Sequence, residues 1–213
     1  MARSRNARGQ GELLRHELLD ATEQLLAEHG DERAVSIRAI TQRVGVTPPS
    51  LYLHFEDKEA LVKAVVARCF AALADSITAA TRELSANGDA AGALREGALA
   101  YLRWARENPG GYIVLFRSQR DSQLERPDGT TGSQAFDNLV GRVEHCQRTG
   151  VGRDGDAHTM ATVIWSALHG VATLSHIRDR FPWPPEDEIV DELLHGVVGM
   201  PRRSSVDRPD EGT

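Results

Sequence analysis

The stretch Ser36–Lys58, reading SIRAITQRVGVTPPSLYLHFEDK, leaves the chain little choice of local structure. Ile37, Ile40 and Val44 recur at helical spacing behind Ser36, a good N-cap residue, and Gly45 interrupts the run within the tight turn Val44-Gly45-Val46. A second short segment, from Thr47 to Phe55, sets Leu51 and Phe55 four residues apart on one inward face. Two short helices joined by a glycine turn make a helix-turn-helix, because glycine supplies the backbone conformation that other residues resist. Thr47 stands where a cap is expected, and Pro48 and Pro49 occupy the first turn, where missing N–H donors cost least. The outer face is left to Ser50, Tyr52 and His54, groups that reach phosphates and base edges when such a helix enters a major groove. Tyr52 and His54 are read as exposed because Leu51 and Phe55 take the inward positions; Leu53 is left out of the site.

The rest of the chain repeats helical periods without a convincing strand. Leu14, Leu18, Ala21 and Leu25 define a first helix from Glu12 to His29, closed by Gly30. Asp57 caps a longer helix in which Leu61, Val65, Cys69 and Ala72 form a stripe, fading at Ser85–Asp89. Leu94, Ala98, Tyr101 and Ala105 give the next helix, ending at Asn108-Pro109-Gly110-Gly111. The apolar run Tyr112–Phe116 is compatible with strand or helix and, with no partner strand, is read as helix. Gln119–Ser133 reads as a mobile loop, followed by a helix over Gln134–Arg148 and the glycine-rich Thr149–Gly155. Met160, Ile164, Leu168 and Val171 mark a strongly apolar helix from Asp156 to about Arg178, and Pro184-Pro185 open a last one carrying Val190, Leu193, Leu194 and Val197. The expected fold is all-α with about nine helices. Its parts are a flexible basic arm (1–11), a DNA-binding domain (12–56), a C-terminal domain (57–200) entered by a connector helix (57–84), and a disordered tail (201–213).

Charge restricts the partners. A net charge of −6 argues against a protein that coats nucleic acid through a broad cationic surface, yet residues 1–11 carry Arg3, Arg5 and Arg8 and no acid. Any nucleic-acid face is therefore expected at the N-terminal end, with the arm available to a minor groove or flanking phosphates. No apolar run reads as long enough to span a bilayer, and no signal peptide follows the basic start, so a cytoplasmic location is expected. The two cysteines, Cys69 and Cys146, are read as small buried residues.

Val44-Gly45-Val46-Thr47, Leu51-Tyr52-Leu53-His54-Phe55 and Asp57-Lys58-Glu59-Ala60-Leu61 together resemble the TetR family of transcriptional repressors, by motif over roughly residues 12–70. The resemblance implies that Thr47, Pro49, Ser50, Tyr52 and His54 lie against DNA, that Lys58 reaches a phosphate, and that Arg38 also faces the duplex. Pro48 departs from the pattern, taking a position often held by a polar or basic reader; it is kept in the interface for apolar contact with thymine methyls. Readout then leans on Arg38, Thr47, Ser50, the prolines and DNA shape.

The implied function is a ligand-responsive regulator, read as a repressor released from a palindromic operator. Alternatives are a ligand-independent regulator or activator with the same DNA-binding domain, or an all-α enzyme or carrier. Tyr101, Trp104, Tyr112, Phe116, Trp165 and His169 are candidates to line an effector cavity suited to a hydrophobic or aromatic molecule, although core packing explains each of them as well. Helices at 156–178 and 185–198, apolar on more than one face, are expected to pair with those of a second copy. No cofactor or catalytic group is implied. His169 and His176 share a face without a third metal ligand, and Gly150-Val-Gly152-Arg-Asp-Gly155 spells GxGxxG without the strand that a dinucleotide site requires.

Overall fold

The computed structural model describes residues 10–29, 35–117, 131–178 and 180–201. Among the described residues there are nine helices and no strand: α1 (Gln10–His29), α2 (Ile37–Val44), α3 (Pro48–Tyr52), α4 (Lys58–Ala86), α5 (Ala90–Glu107), α6 (Pro109–Arg117), α7 (Thr131–Arg148), α8 (Ala157–Ile177) and α9 (Glu186–Val198). The all-α expectation holds. The ambiguous run Tyr112–Phe116 is helical, inside α6. Three boundaries move by two or three residues: α1 begins at Gln10, inside the expected arm, α3 ends at Tyr52, short of the expected Phe55, and α7 begins at Thr131, inside the expected loop. Arg3, Arg5, Arg8, the Gly30 cap, most of the 119–133 loop and the tail after 201 lie outside the described residues.

The chain divides into two compact units, 1–72 with 108–127, and 73–107 with 128–213. In the first unit, α6 packs along α1, α2 crosses α1, and α3 follows α2. Leu18, Leu26, Ile40, Leu51, Leu61, Val65, Val114 and Leu115 make a core with almost no solvent contact. Arg68 of α4 fastens that helix to α1, its guanidinium donating to Asp20 and Glu23 at 2.6 Å each. Ala72, expected in the α4 stripe, is exposed. Val62 and Val66 are buried beside Leu61, Val65 and Cys69, which rotates the covered face and leaves Ala72 at its edge.

In the second unit, α5 packs against α7, α8 and α9. Its buried face is rich in small residues, Ala93, Gly97, Ala98, Ala100 and Ala105, which let three neighbours approach one helix. Arg95 of α5 forms a bidentate pair with Asp191 of α9, Nε to Oδ1 at 2.6 Å and Nη2 to Oδ2 at 3.1 Å. The glycine-rich connection from α7 to α8 is a packed linker: Arg153 N–H donates to Val198 O at 2.7 Å, and a Cβ at Gly152 would stand 3.1 Å from Val198 Cγ1. Asp156 then caps α8 by accepting from Thr159 N–H at 2.8 Å.

Cys69 and Cys146 are free and buried. Burial pushes their thiols up to about 12 and about 11, so both stay protonated and poorly nucleophilic near neutral pH. Contrary to the expectation from sequence, α8 is long and apolar enough to cross a membrane, by length and composition only. The run was masked by uncharged polar residues, His158, Thr159, Thr162, Ser166 and His169, which divide it in sequence without adding charge. On the helix, the exposed apolar residues Val163, Leu174 and Ile177 form one narrow stripe, with the exposed Trp165 on the other side.

Candidate nucleic-acid interface

Local chemistry fixes both helices of the candidate interface. Ser36 Oγ accepts from Ala39 N–H at 3.2 Å, satisfying a donor that the start of α2 leaves free. At the other end Gly45 adopts φ +76°, and Val46 N–H returns to Thr41 O at 2.9 Å. No atom lies within 4 Å of a Cβ built at Gly45. Gly45→Ala therefore meets backbone strain alone and is expected to lower the unfolding free energy by about 1–2 kcal/mol in urea titrations; Gly45→Asn should lower it less. Equal losses for the two would show that something other than the left-handed backbone is at work.

The start of α3 departs from expectation. Thr47 occupies the cap position, but its hydroxyl makes no capping bond; it pairs with Ser50 Oγ at 3.2 Å. With Pro48 and Pro49 the first two helical positions offer no N–H, and the third, Ser50 N–H, is taken by Thr47 O at 2.9 Å. The other end is anchored by side chains: Leu51 is fully buried and Phe55 nearly so, with the Arg15 guanidinium 5.1 Å from the Phe55 ring centre.

With Leu51 and Phe55 turned inward, Thr47, Pro48, Pro49 and Tyr52 are exposed, Tyr52 by 52%. Ser50 and His54 are half-buried. Arg38 is exposed on α2, whereas Arg43 on the same helix is engaged by Glu28 of α1 at 2.8 and 2.9 Å. That bidentate bond raises the Arg43 pKa and lowers that of Glu28. Lys58 Nζ donates to Val35 O at 3.3 Å, so the ammonium begins from an inward bond. Leu53, left out on sequence grounds, is 83% exposed at the end of α3. Its position beside Tyr52 gave no periodic signal, because a five-residue helix is too short to define faces.

The candidate effector residues fall on three helices. Tyr101 and Trp104 of α5 are buried in the second unit. Tyr112 and Phe116 of α6, with ring centres 4.7 Å apart, belong to the first. Trp165 and His169 of α8 lie 6.1 Å apart and continue through Phe136 to His158. Burial lowers the His169 pKa. Among the described residues no group of three His, Cys, Asp or Glu side chains is placed to hold a metal ion.

Two family models match the chain. Residues 18–65 match the bacterial regulatory proteins of the tetR family, and residues 94–200 match the tetracyclin repressor-like C-terminal domain. The chain belongs to the TetR family of transcriptional regulators. An HTH-type transcriptional regulator of Mycobacterium bovis is 27% identical over 182 residues, 85% of this chain and 91% of the relative. The fold is that of a TetR-family transcription regulator from Marinobacter aquaeolei VT8, with a TM-score of 0.72 and 19% identity over 90% of this chain and 98% of the other. It is also that of a transcriptional regulator from Saccharomonospora viridis in complex with choline, with a TM-score of 0.68 and 19% identity over 87% and 96% of the two chains. This TetR-family protein is thus a transcription regulator whose N-terminal helix-turn-helix is its DNA-binding domain.

Proposed function

We propose that the protein is a homodimeric repressor that binds a two-fold symmetric operator through α2 and α3 and leaves it when a small molecule binds the C-terminal domain. The observation that carries the reading is the division of α3: Leu51 is fully buried, while Thr47, Pro48, Pro49 and Tyr52 are left to solvent beside an exposed Arg38. That surface has groups for base edges, thymine methyls and phosphates at the scale of a major groove. Ser50 and His54 contribute from its margin, Lys58 turns from Val35 O to a phosphate, and Leu53 adds apolar contact. The Val163, Leu174 and Ile177 stripe supports pairing through α8 and α9, since two copies cover apolar surface that one leaves wet. The exposed Trp165 and half-buried His169, with Phe136 beside them, support an aromatic or hydrophobic effector, and Tyr101 and Trp104 back the same unit from within. The choline held by the Saccharomonospora viridis neighbour supports a small-molecule ligand in this fold. Such a regulator works in the cytoplasm, beside the DNA it controls.

Selection of bound duplexes from a random library tests the reading and is expected to return a symmetric site. At that site Arg38→Ala and Tyr52→Ala should each weaken binding roughly tenfold or more, as loss of a good base contact does. Wild-type affinity in both variants, with unchanged melting temperature, would overturn the interface. The effector must favour the DNA-free form by the same factor that it weakens operator binding.

A further inference from the structure

The second unit contains a cleft of about 600 Å³ lined by the C-terminal half of α4, the start of α5 and one face of α7. Asp137, Asn138, Arg142, His145 and Arg148 line it from α7, and Ala93 lines it from α5. Arg142 sets it apart. The residue is half-buried, and its Nη2 donates to Thr81 Oγ1 at 2.8 Å. That hydroxyl already donates to Ile77 O at 2.9 Å, so Thr81 offers Arg142 a neutral oxygen and no charge. Among the described residues Arg142 makes no ion pair.

Two other half-buried arginines are treated differently. Arg68 holds two carboxylates and Arg95 holds one, and in both the partners raise the pKa above its ordinary value despite burial. For Arg142 burial is the dominant influence and lowers the pKa. A guanidinium withdrawn from water without a counter-charge costs free energy that a bidentate anion would recover. A single withdrawn cation balances one negative charge. Asp137 on the lining opposes a dianion, and Ala90 and Ala93 offer a small apolar wall to an organic body.

We infer that this cleft binds a small organic carboxylate, held by a bidentate pair with Arg142, with Arg148 and His145 steering the anion from the same helix. The site is distinct from the aromatic group on α8, and only its consequence for DNA rests on the repressor reading. The regulatory form of the inference is that carboxylate binding alters operator affinity.

The test uses the full-length protein and the probes benzoate and hexanoate, with benzamide and hexanamide as neutral counterparts and inorganic phosphate as a simple anion. Thermal shift and calorimetry are expected to detect at least one carboxylate and neither amide, with affinity reduced about tenfold or more in Arg142→Met and in the charge-retaining Arg142→Lys. Thr81→Val keeps the guanidinium and removes the hydroxyl; it should retain binding, which separates a ligand-holding arginine from one that only ties α7 to α4. No response to either carboxylate, an equal response to phosphate, or undiminished binding in Arg142→Met with native-like circular dichroism would each overturn the site. Operator binding by fluorescence anisotropy is read in parallel. Carboxylate binding without DNA release keeps the cleft and removes its regulatory role, whereas operator binding with no carboxylate response removes the cleft and leaves the repressor standing.

Discussion

Leu51→Ala is expected to lower the unfolding free energy by about 2.5–5 kcal/mol and to abolish operator binding before it abolishes the fold of the C-terminal domain. Leu51 is fully buried, so its truncation loses transfer energy and leaves a void that a five-residue helix has little means of closing. α3 has no capping side chain at its start, so Leu51 and Phe55 are the main restraints on its position. Urea unfolding followed by far-ultraviolet circular dichroism measures the loss. A change below about 1 kcal/mol would mean that α3 is held in some other way.

The second large effect concerns assembly. The double variant Leu174→Asp, Ile177→Asp places two carboxylates on the exposed apolar stripe of α8, where a second copy is proposed to pack. It is expected to yield monomers in sedimentation and to weaken binding to a two-half-site operator by about 100-fold or more, because the second recognition helix no longer arrives on the same molecule. Binding to an isolated half-site should be almost unchanged. Dimers of undiminished stability would move the proposed interface elsewhere on the protein.

The helix-turn-helix was legible because its signals are local: a cap, a turn glycine and two inward residues all fall within twenty-three residues of sequence. α6 was harder, since a short apolar run carries no period, and its helical state depends on packing against α1. The exposure of Ala72 was hidden because the covered face of α4 is decided by which neighbours meet it rather than by α4 itself. Arg142 gave no signal at all. Its significance lies in a partner sixty-one positions away, Thr81, and in having no carboxylate partner among the described residues, which no spacing rule could report. The displaced role of Thr47 has a local cause that was readable in principle, because the two prolines remove the nearer amides before a cap can use them.

In the proposed interface, those same prolines bear on how the protein would discriminate among DNA sequences. Helix starts commonly grip phosphate through unpaired amides, a contact indifferent to base identity. α3 has surrendered that grip: two of its leading positions lack hydrogen and the third is occupied by Thr47. Rigid rings also narrow the conformations open to the unfolded segment, so less disorder is lost when the segment is ordered. The leading edge of this helix is thus stiff, oily and poor in sequence-blind attraction, and errors of register on the duplex should be penalised more by lost methyl contacts than forgiven by backbone charge.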